Sequence, residues 1–258
     1  MISIEELKKL ARLKGISSMG NAEKDYLIDL VLLSVSRNTK DELVFKGGTC
    51  LSKFFKLDRF SEDIDFTLRK ELDINALLRK ILLDLQSFGI RAEIKESKTV
   101  LSSVMAAIRT KGPLYNGGPR SFSNIGIDIN LQSGISMEPE LVRYTSIYPE
   151  VPRFSIMIMR KEEILAEKVR AILSRDKARD IYDLWFLLNE GAKFDLNLVN
   201  EKLKYYGETW NLNEFTNKLT LKESLWKTEL APLIDVVPDF REVKKIILGK
   251  IPKMAYEH

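Results

Sequence analysis

The stretch FKGGTCLSKFFKLDRFSEDIDFTL, residues 45–68, constrains the fold of this chain more than any other. ELVFK, residues 42–46, reads as a short strand, and Gly47 and Gly48 make a tight turn. TCLSKFFK follows as a helix that Thr49 helps to cap, and DRFSEDIDFTL returns as a second strand. Strand, glycine turn, helix and strand in so short a span predict a mixed α/β sheet.

The same stretch carries chemistry. In SEDIDF the side chains alternate, so Asp63 and Asp65 share one strand face while Ile64 and Phe66 turn to the core. Hard divalent cations such as Mg²⁺ take oxygen ligands and keep several waters, so two carboxylates plus substrate phosphates make a natural metal site. D-x-D alone is weak, because exposed strand ends often carry paired acids for solubility. Its neighbours add weight. Gly47 and Gly48 precede a helix, where a missing Cβ lets phosphate near the backbone and free N–H groups offer an anion site. Arg59 supplies a guanidinium fork and Ser61 a hydroxyl for phosphates beside the metal, although each taken alone reads as an ordinary residue.

Composition removes whole classes of mechanism. Cys50 is the only cysteine and His258, the last residue, the only histidine. Disulfide frameworks, Cys/His zinc sites, Ser/His/Asp triads and histidine general bases are therefore excluded. Catalysis must rest on carboxylates, lysines and hydroxyls. The 258 residues, 45% hydrophobic and 30% charged, suit one large domain or two small ones. Forty-one Lys and Arg against thirty-seven Asp and Glu give +4, which admits only a local basic patch. No apolar run approaches the roughly 20 residues of a membrane span, and the start lacks the apolar core of a secretory signal, so a cytoplasmic address is expected.

Elsewhere the spacing predicts helices over 3–13 and 22–36, the second N-capped by Asn21, and over 74–88, stopped by Gly89. IRAEIKES, VLSSVMAAIRT, NIGIDINLQ and RFSIMIM are strand candidates, with a Gly/Pro-rich loop, KGPLYNGGPRS, before the third of them. Beyond residue 160 the pattern turns helical: 161–175, 178–189, 196–206, 222–234 and 239–248. A sheet-bearing core in 1–160 and a helical region in 161–258 follow.

Three further acids and a lysine stand out. Asp128 alternates with Ile127 and Ile129, so it projects from a strand whose neighbours face the core. It is either a polar residue on a half-solvated face or a third carboxylate that ligates metal and draws the proton from an attacking hydroxyl. Lys168 lies beside the apolar stripe of Leu165, Val169 and Ile172, either snorkelling outward or aimed at triphosphate. Asp180 and Asp183 share a helix face, where either can pair with Lys168 or Arg179.

With these residues assembled, the chain resembles the AbiEii/AbiGii nucleotidyltransferase toxin family of the polymerase-beta-like nucleotidyltransferase superfamily. FKGGTCLSKFF, RFSEDIDF and EEILAEKVRAILSRDKARDIYDLWFLL carry the resemblance, which runs from about EKDYLIDLVLLS to LWKTELAPLIDVVPDFREV. It implies a nucleotidyltransferase-like mixed sheet flanked by helices, and a helical C-terminal region that completes the active site. Activity on a nucleoside triphosphate with Mg²⁺ or Mn²⁺ is implied too. The family's motifs fall on Gly47 and Gly48, on Arg59, Ser61, Asp63 and Asp65, on Lys168, and on Arg179, Asp180 and Asp183, with Thr49 beside the glycines. Asp128 fits the third carboxylate of the wider superfamily. The resemblance further implies a cognate antitoxin and an RNA acceptor, tRNA first. A protein acceptor, or a module that binds nucleotide or RNA without transfer, are the competing readings. RNA would call for a basic groove, with Lys53, Lys56, Arg170, Arg175, Lys177 and Arg179 on a common surface.

Overall fold

The computed structural model describes residues 1–100, 102–132 and 134–252. His258, and Leu101 within an expected strand, lie outside the described residues. The chain opens with α1 (Ile4–Lys14), α2 (Met19–Asn38), β1 (Leu43–Lys46), α3 (Gly47–Phe54), β2 (Asp63–Leu68) and α4 (Ile74–Ser87). Five strands follow: β3 (Arg91–Val100), β4 (Ser103–Lys111), β5 (Ser123–Asn130), β6 (Glu140–Tyr144) and β7 (Phe154–Ile158). The remainder is helical: α5 (Lys161–Ser174), α6 (Ala178–Asn189), α7 (Leu196–Lys204), α8 (Leu212–Leu221), α9 (Glu223–Leu230) and α10 (Phe240–Lys250). No helix among the described residues is long and apolar enough to cross a membrane.

The chain divides into two compact units, one built from 1–50, 62–134 and 139–158, the other from 51–61, 135–138 and 159–258. The first holds a seven-stranded mixed sheet in the order β3-β4-β5-β2-β1-β7-β6. β2 and β5 run parallel, as do β1 and β7, while the other pairs are antiparallel. Alternation in β5 sends Ile125, Ile127 and Ile129 to the buried face, as it does Ile64 and Phe66 in β2. Helix α2 packs on β5 and β7, and α4 on β3.

Most of α2 is buried, and it carries three acids inside: Glu23, Asp25 and Asp29. Each has partners that justify its burial. Glu23 accepts from the Leu114 N–H at 2.6 Å, Asp25 from Lys14 and the Tyr148 hydroxyl, and Asp29 from the hydroxyls of Tyr144 and Ser146. The helix thereby clamps the loops before β5 and after β6.

The second unit packs α5 against α6, α7 and α8, and α6 against α9 and α10. Its core also contains paired charge. Glu163, fully buried, accepts from the Ser136 and Met137 N–H groups and from Lys202. Lys222 donates to the Ile172 carbonyl at 2.8 Å, satisfying an orphan acceptor in the last turn of α5.

Several expectations change at the element ends. Ser18, not Asn21, caps α2, its hydroxyl accepting from the Asn21 N–H. Helix α3 begins at Gly47, and the Thr49 hydroxyl donates to the Asp63 carbonyl instead of capping the helix. The return strand begins only at Asp63, because residues 58–61 are held in the second unit by Arg59 and Asp58. β6 and α8 were not foreseen. β6 is a five-residue edge strand broken by Glu140 and Arg143, and α8 interleaves its two buried residues, Phe215 and Leu219, with Asn, Glu, Thr and Lys.

Candidate active site

Asp63 and Asp65 project from the face of β2 opposite Ile64 and Phe66. In the parallel pair with β5, Asp65 stands in register with Asp128 and Asp63 with Gly126. On the other side, Asp65 stands opposite Lys46 of β1. One row across three strands therefore reads Lys46, Asp65, Asp128, with Asp63 one step along. Asp63 is exposed, Asp65 and Asp128 half-buried, and Lys46 buried. Lys46, directly before the glycines, carries no sequence signal for this role; the pairing of β1 with β2 puts it opposite Asp65.

Two glycines stand against these acids. Gly47 has φ +74°, and a Cβ there would lie 2.2 Å from Asp65 Oδ2. A Cβ on Gly126 would lie 2.6 Å from Asp63 Oδ1. The carboxylates thus occupy the volume that side chains at 47 and 126 would fill. Among the described residues, no group of three or more Asp, Glu, Cys or His side chains is placed to hold a metal ion. The donor set suits a hard cation that takes its remaining oxygens from substrate and water.

The other singled-out residues form a second cluster, within the helical unit. Arg59, 3% exposed, gives Asp183 two hydrogen bonds, Nε to Oδ1 at 2.5 Å and Nη2 to Oδ2 at 2.7 Å, and a third to the Phe60 carbonyl. Lys168 Nζ lies 2.9 Å from Asp180 Oδ1 and 2.6 Å from Asp183 Oδ2. Arg175 grips Asp180 with two further bonds, at 2.7 and 2.9 Å. Asp180 and Asp183 thus both pair with Lys168, which does not snorkel, and Arg175 is the second cation on Asp180. Ser61 is half-buried at the end of the Arg59 segment.

Three cations around two buried carboxylates set the protonation states. Burial alone would raise the Asp180 carboxyl, but Lys168 and Arg175 overcome it and hold the group below the usual carboxylate range. For Asp183, burial is likewise overcome by Arg59 and Lys168. Lys168 moves up, because Asp180 and Asp183 outweigh the burial that opposes its charge. The lowered carboxylates contribute stability above their unfolded value of about 4, lost as pH falls through the folded values. The raised lysine contributes below about 10.4, and that contribution is lost as pH rises through its folded value. Thermal midpoints should form a neutral plateau with acid and alkaline shoulders, and Asp183→Asn should flatten the acid shoulder.

The expected basic surface is partly committed elsewhere. Arg175 binds Asp180, Lys177 lies 3.9 Å from Glu229, and Arg170 stacks 4.4 Å from the Tyr206 ring centroid. Lys56 is exposed, and Lys53 and Arg179 are half-buried.

Comparison with known proteins bears on this arrangement. The fold is similar to MenT4, a nucleotidyltransferase toxin from Mycobacterium tuberculosis H37Rv, with TM-score 0.69, 18% identity, and 96% of this chain and 91% of that chain covered. It is also similar to JHP933 from Helicobacter pylori, with TM-score 0.60, 22% identity and 89% of both chains covered. Curated protein sequences yield no significant match. The model of the nucleotidyl transferase AbiEii toxin family, a type IV toxin–antitoxin system, matches residues 31–246. Since that span runs from within α2 into α10, the chain belongs to the AbiEii nucleotidyltransferase toxin family.

Proposed function

We propose that this nucleotidyltransferase moves a nucleotide from a nucleoside triphosphate to an RNA hydroxyl, tRNA first, with Mg²⁺ or Mn²⁺ held by Asp63 and Asp65. The observation that carries the reading is the register of Asp65 with Asp128, beside Asp63, with the Asp65 and Asp63 carboxylates filling the space side chains at 47 and 126 would take. A bound divalent cation supplies charge neutralisation at the triphosphate and the departing pyrophosphate. Asp128, in register with Asp65, would accept the proton of the attacking hydroxyl. Lys46 offsets the negative charge of the acidic row. The N–H groups of Gly47, Gly48 and Thr49 at the start of α3 hold phosphate oxygens. Arg59, Lys168, Asp180 and Asp183 are positioning residues: their buried charge network fixes the segment 58–61 that leads into β2. A cytoplasmic setting, where triphosphates and tRNA are found, and a cognate antitoxin accompany this reading.

The protein is incubated with total tRNA, Mg²⁺ and each α-labelled triphosphate. Label on RNA supports the proposal and names the nucleotide; label on protein moves the acceptor to a protein hydroxyl. Bound nucleotide without transfer would leave a binding module. The two glycines give a finer check. Gly126→Ala pushes only the flexible tip of Asp63, so activity should fall roughly 100-fold with stability within about 1 kcal/mol of the parent. Gly47→Ala should lose activity and also about 1–2 kcal/mol, because alanine resists that left-handed φ. Kinetics beside thermal melts separate the two.

A further inference from the structure

The acid-bearing face of the sheet continues away from the carboxylates along β5, β4 and β3. Asp128 stands in register with Met105, Gly126 with Ala107, and Asn124 with Arg109. Beyond them Arg109 pairs with Glu93 and Lys111 with Arg91. Cross-strand partners share a face. Next to the acids β4 offers Met105, 42% exposed, and Ala107, while on β3 Lys98 faces Met105, Glu96 faces Ala107 and Glu93 lies 3.3 Å from Arg109.

At the far end, aromatic rings and cations interleave. Tyr115 and Phe122 pack at 4.9 Å between centroids and are both half-exposed. Arg109 lies 5.2 Å over Phe122, and Lys111 lies 5.0 Å over Tyr115 and 5.8 Å over Phe122. The loop between β4 and β5 is held by internal bonds from Asn116 and Ser121, and by Glu23 at Leu114. It presents an exposed Arg120 beside a pocket of about 440 Å³. Asn124 lies four residues from Asp128, about 13 Å at ~3.3 Å per residue.

Cation–π pairs at a surface often do no more than decorate it. Here they share one open sheet face with the metal carboxylates, a few nucleotides away. Sequence-tolerant single-strand binding uses this combination: aromatic faces for bases and cations for the backbone. We propose that the open face of β3–β4–β5 is the track for the single-stranded 3′ end of the RNA acceptor. Bases stack on Phe122 and Tyr115, Arg109, Lys111 and Arg120 meet phosphates, and Met105 supports the terminal base beside Asp128. The inference rests on the RNA reading above.

The test uses the full chain and a fluorescent single-stranded RNA 12-mer with a free 3′ hydroxyl, read by anisotropy, alongside transfer kinetics. Phe122→Ala should weaken RNA binding roughly 10-fold or more and raise the KM for RNA, with the KM for triphosphate unmoved. Phe122→Trp should restore binding. Arg120→Ala, at an exposed position that does not threaten folding, should reduce the slope of log K against log salt by about 0.7. If the wild type labels RNA while Phe122→Ala and Arg120→Ala bind the 12-mer like the parent, the track is wrong and the RNA reading survives. If the wild type labels only protein and ignores the 12-mer, both fail together.

Discussion

Replacing Asp63 and Asp65 together by Asn should lower kcat/KM for nucleotide transfer by at least about 10³-fold, because cation-mediated charge stabilisation is worth several kcal/mol. Folding should hardly change. Asp63 is exposed and Asp65 half-buried, and removing one negative charge beside Asp128 offsets what Lys46 loses across the strand. The melting midpoint should therefore stay within a few degrees of the parent. Chelation should give the same phenotype in the wild type, reversed by Mg²⁺ or Mn²⁺. Transfer that persists within tenfold in the double variant would remove these acids from the chemistry and with them the proposed metal site.

The largest effect on stability is expected at Asp183. This fully buried carboxylate takes two bonds from Arg59 and one contact from Lys168. Asp183→Ala strands two buried cations and should cost about 3–5 kcal/mol, a fall in melting midpoint on the order of 10 °C. Removing a cation as well should cost less than the sum of the separate changes. Asp183→Ala with Lys168→Met is thus expected to recover part of the loss, since residues in one network are non-additive. Arg175→Ala should be mild by comparison, its side chain being half in solvent. Denaturant titrations of the three variants give the ranking, and equal losses at 175 and 183 would contradict the burial argument.

Local pattern carried much of this protein. The alternation of SEDIDF put two acids on one face, the isoleucines around Asp128 marked a strand edge-on to the core, and helix α6 was bounded at 178–189 by its apolar spacing alone. Such features depend on neighbours within a few residues, and the period of the backbone makes them visible. The family resemblance rested on the same local motifs, and the match over residues 31–246 accords with it.

Non-local pairing decided the rest. Nothing near Asp65 in the chain says that Asp128 stands beside it, that Lys46 faces it, or that Asp63 fills the space a side chain at Gly126 would take. Those follow from strand order, which places β5 next to β2 across more than fifty intervening residues. The fork of Arg59 likewise suits phosphate by residue type, yet burial next to Asp183 turned it toward a carboxylate. The sequence by itself determined which residues can do this chemistry and which way each points from its own strand or helix. Only the tertiary structure decided which of them meet, because a buried charge must find its counter-charge wherever the fold brings one within reach.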